Sequence, residues 1–178
     1  AVIVFYFNKK EVFHPDETWS YAHSNSTQGA FLVPNLDSFF LDMNNELHYR
    51  WFEGKELKDY ISVQENERFK YAHIWDNLKK DVHPPLYYMF LHTVSSFFID
   101  GFSKWYAFGI NIVMFVVAYL MFYKLSKLFI KDELLALLPV VFWGFSHVNI
   151  AMNVYLRMYV LLSVWLISIF YEIVKFFD

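Results

Sequence analysis

The sequence predicts an all-α polytopic membrane protein carrying one large extracytoplasmic loop, and three observations lead there. Of its 178 residues, 57% are hydrophobic and 22% aromatic, a ring content common where side chains line a membrane interface. The apolar residues are unevenly spread, with 8–83 polar and charged and 84–178 mostly apolar. Lys124, Lys127 and Lys131 cluster between two apolar stretches, which gives the chain an orientation. A net charge of only -3 argues against a nucleic-acid partner. With no cysteine, the chain has neither a disulfide framework nor a thiolate metal site.

Residues 1–7 are an apolar run too short to span a bilayer, which takes roughly 20 residues. They read as the end of a first transmembrane helix, and the chain as part of a longer polytopic protein. Residues 8–104 then form the loop. Asp16 and Glu17 follow Pro15 in the pattern of a helix first turn, and Thr18 to His23 continue it towards Gly29. Residues 30–50 hold Pro34, Asn35, Asp37, Asn44 and Asn45 and read as irregular. A short helix is expected over Lys55–Val63. An amphipathic one is expected over Glu65–Lys80, with Phe69, Ala72, Trp75 and Leu78 along one side. Asn25-Ser26-Thr27 fits a glycosylation sequon of low specificity.

Residues 84–99 are apolar but too short to cross, and carry His92, Ser95 and Ser96, so they are expected to lie along the membrane surface or dip partly into it. Three stretches are long enough to span, at about 105–123, 134–152 and 158–177. Placing the lysine island in the cytoplasm puts the loop, His83, Asp100 and Arg157 on the outer face.

The stretch Asp81-Val82-His83-Pro84-Pro85-Leu86-Tyr87-Tyr88 stands out for its stiffness. Pro84 restricts His83 to extended backbone, and neither proline offers an N–H. Asp81 and His83 suit phosphate or metal binding, and equally suit a plain helix start. Asp16 and Glu17 fit a helix dipole as well as they fit a general base. Arg157 lies between two spans, where it either snorkels to the interface or grips an anionic lipid phosphate bidentately. His14, His23, His73 and His92 are scattered, with no spacing that signals zinc.

Taken in order, Asp16-Glu17, the Asp81 to Tyr88 stretch and Arg157-Met158-Tyr159 resemble one group. It is the membrane glycosyltransferases of the C-type fold, in the branch of the protein O-mannosyltransferases and the lipid A aminoarabinose transferases. The resemblance covers nearly the whole chain, though only the three motifs are specific. It implies the N-terminal part of that fold and a sugar donor linked to a polyprenyl phosphate. The acceptor would be a protein, a lipid or a cell-wall polymer at the outer side of a plasma or endoplasmic reticulum membrane. It also implies Asp16 as catalytic carboxylate with Glu17 beside it, and Asp81, His83, Tyr87, Arg157 and Tyr159 as residues that bind the donor and its phosphate. His83 stands where the aminoarabinose transferases have Lys. Some relatives use a divalent metal ion, for which this chain shows no convincing ligand set. The rival expectation is a non-enzymatic lipid-binding or transport-associated membrane protein. Transport is disfavoured because 105–123 and 158–177 carry no charge in their central portions.

Overall fold

The structure, a computed structural model, describes residues 2–27, 53–79 and 81–177. Every regular element among them is helical. The expected irregular segment 30–50 lies outside the described residues. The chain divides into two compact units, Phe13–Tyr106 and Ala1–Val12 with Ala107–Asp178.

The unit Phe13–Tyr106 is built around α2 (Pro15–Asn25), which follows α1 (Val2–Asn8) in the chain. The start of α2 is set by a reciprocal cap. His14 Nδ1 accepts from the Asp16 N–H at 3.2 Å, and the His14 N–H donates to Glu17 Oε2 at 2.8 Å. Pro15 occupies the first helical position, where its missing N–H costs nothing. From Ser20 to Asn25 every side chain of α2 is buried. Such a helix needs its polar groups satisfied within the protein, and Ser20 and Ser24 hydroxyls donate to carbonyls one turn back. Tyr21 reaches across to the Ser103 carbonyl at 2.7 Å.

Among the described residues, three helices cover α2: α3 (Gly54–Ile61), α4 (Ala72–Leu78) and α5 (Leu86–Ser95). A single 3-10 turn at Glu65–Glu67 separates α3 from α4, so the amphipathic segment expected over 65–80 is two short pieces. α5 starts at Leu86, immediately after Pro84 and Pro85, and ends at Ser95, shorter than the 84–99 expected. It buries Tyr87, Tyr88, Leu91, His92 and Ser95, one continuous helical face, against α2. α5 is a core helix of its unit, because its apolar face meets α2.

The other unit contains α1, most of α6 (Lys104–Phe129), α7 (Glu133–Gly144), α8 (His147–Val154) and α9 (Tyr159–Phe177). α6 and α9 are long and apolar enough to cross a membrane, and α7 with α8 would make a third span if the pair is one. α6 outruns the expected 105–123, because Lys124 to Phe129 remain good helix formers and continue the ladder. The expected single span 134–152 is broken, with α7 and α8 meeting at 58°. The break is local chemistry. Ser146 Oγ donates to the Trp143 carbonyl and accepts from the Asn149 N–H, ending one helix and capping the next. Phe7 of α1 stacks flat on Phe108 of α6 at 3.7 Å, and Trp143 packs among Phe115, Tyr119 and Phe122.

Candidate functional site

The stiff stretch ahead of α5 is where charge is gathered. Asp81 Oδ1 accepts from His83 Nδ1 at 2.6 Å and from the Val82 N–H at 2.6 Å. Its other oxygen, Oδ2, lies 2.9 Å from Nε2 of His23 on α2. One carboxylate thus bridges two imidazoles, with both oxygens engaged. Pro84 disfavours helical backbone at His83, and residues 81–83 form a bend ahead of α5 in which the ring meets Asp81. Tyr88, one turn into α5, is buried with its ring edge-on to His23 at 5.4 Å and to His83 at 6.4 Å.

Electrostatics follow from that geometry. Partial burial works to raise the Asp81 carboxyl, but it is outweighed. The His83 bond, the Val82 N–H and attraction from His23 and His83 hold the group below the ordinary carboxylate value. His23 is nearly buried, whereas the side chains of Asp81 and His83 keep about a fifth of their surface open, at 19% and 20%. His83 is therefore the imidazole through which this trio meets its surroundings.

Asp16 and Glu17 differ in what they do. Glu17 is fully buried, with Oε2 committed to the His14 N–H, so it holds the start of α2. Asp16 stays part-exposed, with His14 Nδ1 at 3.7 Å from its Oδ1. Asp16 and His23 are seven residues apart on one helix, hence on one face and separated by about 10 Å along the axis. α2 therefore carries Asp16 at one end and the partner of Asp81 at the other. Tyr87 is buried in α5.

Arg157 and Tyr159 belong to the other unit. Arg157 is buried at 4% exposure and follows the end of α8, where its N–H donates to the Tyr155 carbonyl at 2.8 Å. Tyr159 opens α9 and stacks on Tyr155 at 5.9 Å. No family model, no curated protein and no solved structure matches this chain.

His23 is the residue that sequence reasoning passed over as one of several scattered histidines. Its signal was the seven-residue spacing from Asp16, which only matters once α2 is known to be a helix facing the Asp81 turn. Among the described residues no three His, Cys, Asp or Glu side chains are grouped to hold a metal ion. The sequon is also corrected. Asn25 is buried at 1% exposure, and its Nδ2 donates to the Ile61 carbonyl at 2.8 Å and to Ser95 Oγ at 3.2 Å. A concavity of about 390 Å³ beside α3 is lined by Glu53, Glu56, Asp59 and Glu67 with Lys55, and none of the residues above contributes to it.

Proposed function

We propose that the protein is a membrane glycosyltransferase that moves a sugar from a polyprenyl-phosphate donor to an acceptor hydroxyl on the extracytoplasmic side. The observation that carries this reading is His83 fixed by Asp81, on a unit whose central helix presents Asp16 at its N-terminus. A sugar on a lipid phosphate has a good leaving group already, so the chemistry asks for little. A carboxylate must take the acceptor proton, and cationic groups must meet the departing phosphate.

In the proposed step the acceptor oxygen attacks the anomeric carbon and its proton passes to Asp16. The bond from that carbon to the phosphate oxygen breaks, and the lipid phosphate leaves with the electron pair. A single displacement inverts the anomeric centre. His83, aligned by Asp81, meets the phosphate through its ring nitrogens. Glu17 supports Asp16 by holding the first turn of α2 rather than by touching substrate.

The test is transfer by the full-length protein in proteoliposomes, with a labelled polyprenyl-phosphate sugar. Asp16→Asn is expected to abolish transfer while leaving carrier binding intact. His83→Ala is expected to weaken carrier binding. Full transfer by Asp16→Asn would remove Asp16 from the catalytic role, and carrier binding without transfer by the unaltered protein would favour a lipid-binding scaffold.

A further inference from the structure

The unit Phe13–Tyr106 carries aromatic side chains that its own core does not use. Phe97 and Phe98 follow directly on the end of α5 and are 65% and 51% exposed. Phe69, 40% exposed, meets Phe97 edge-on at 5.3 Å. The backbone at Phe69 is unusual. Its φ of 54° lies in the left-handed region, which a bulky residue rarely enters because Cβ crowds the carbonyl. Ser96 holds it there, with Oγ accepting the Phe69 N–H at 3.1 Å and its carbonyl accepting from Arg68 Nε at 3.0 Å. The chain thus spends strain to place one aromatic ring against another, on a surface where water would ordinarily meet it.

The location of the rings says what covers them. Phe98 stacks on Tyr106 at 4.9 Å, and Tyr106 lies in the first turn of α6, a helix long and apolar enough to cross a membrane. Gly101 makes that approach close, since a Cβ there would meet the Phe98 carbonyl at 2.8 Å and the Tyr106 hydroxyl at 3.0 Å. Phe98 therefore lies against the first turn of a helix long and apolar enough to span. Trp105, 45% exposed, is in the same turn. Basic side chains are interleaved: Arg68, whose guanidinium lies 5.6 Å from the centre of the Phe69 ring, with Lys70 next in sequence and Lys104 at the start of α6. Rings that reach the acyl boundary beside cations that reach lipid phosphates make up an interfacial anchor.

We propose that Phe69, Phe97 and Phe98 form a membrane-docking face that inserts into the headgroup region of an anionic bilayer. This places the unit against the lipid at a second point beyond α6 itself. It does not depend on the glycosyltransferase reading.

The chain's lack of cysteine gives a clean test. Single replacements Phe69→Cys, Phe97→Cys and Phe98→Cys are spin-labelled in proteoliposomes containing phosphatidylglycerol, with Lys58→Cys on α3 as the reference. Collision with oxygen, which concentrates in lipid, is compared with collision with a water-soluble nickel chelate. The oxygen-to-nickel ratio is expected to rise at 69, 97 and 98 above its value at 58. It is expected to fall back at 69 in Arg68→Gln/Lys70→Gln. Because Phe97 is mostly exposed, its replacement leaves the core intact and serves if the other variants misfold. A ratio at 97 equal to that at 58 would overturn the proposal, and so would low collision with both reagents, which would mean a protein cover.

Discussion

Asn25 connects three parts of one unit through a single amide. Nδ2 binds the Ile61 carbonyl and Ser95 Oγ, and Oδ1 faces His92 Nδ1 at 3.3 Å. Asn25→Ala is expected to lower stability by about 2–3 kcal/mol, since buried partners are left unsatisfied. The folded, monodisperse protein from a eukaryotic secretory host is expected to show no endoglycosidase-sensitive shift at Asn25. His92 adds a pH dependence. Burial, then repulsion from His73, pushes its pKa from 6.5 to about 4, with the Glu67 and Ser24 carbonyls and the Glu67 charge pulling the other way. Between those values the unfolded chain binds a proton that folded His92 refuses. Stability is thus full above pH 6.5 and falls as pH drops towards 4, by about 3 kcal/mol. Thermal unfolding in detergent across that range checks it, and His92→Gln is expected to flatten the slope. At this scale the sequence showed local chemistry well. Asp81 and His83 stood out together because Pro84 stiffens a short stretch, though their mutual bond was not expected. Nor was the contact of Asp81 with His23, since it exists only once α2 and the Asp81 turn are packed together.

Periodicity and caps made most elements legible, and their failures have local causes. The lysine island was expected as a loop because charge marks loops, yet Lys124 and Lys127 extend α6 as solvated helix. The break between α7 and α8 was masked by unbroken hydropathy, and only the two bonds of Ser146 make it. Two positions test how these helices are held. Gly144 closes α7 against α6 so tightly that an added Cβ would fall against the Tyr119 ring, 2.8 Å from its hydroxyl. Gly144→Ala is expected to lower the detergent melting temperature, and Gly144→Ala/Tyr119→Leu to recover most of the loss. Asn111 on α6 donates through Nδ2 to the carbonyls of Asn153 and Tyr155, at 3.1 and 3.0 Å. It thereby satisfies the end of α8 just ahead of Arg157. Asn111→Leu is expected to cost about 1–3 kcal/mol, because two buried carbonyls lose a side-chain donor at once. An unchanged melting temperature would show that the α8 end finds another donor.

For the whole molecule, the divide between a polar half and an apolar half was legible because hydropathy is a property of composition and needs no tertiary contact. Orientation follows from α6. Its 26 residues rise about 39 Å, more than the roughly 30 Å of hydrocarbon, so one end must project. Lys124 and Lys127 occupy the last turns. Lys127 Nζ donates to the Lys131 carbonyl at 2.9 Å and lies 3.7 Å from Glu133 Oε1, so its charge is held among polar groups. Positive charge favours the cytoplasmic side, so the opposite end of α6, with Lys104 and the turn before it, is expected outside. In intact cells, Lys58→Cys is expected to react with a membrane-impermeant maleimide, and Lys127→Cys to react only after the membrane is opened. The reverse pattern would place His83 and Asp16 in the cytoplasm. A donor presented at the outer leaflet could then not reach them, and the transfer reading would fail on geometry before any rate was measured.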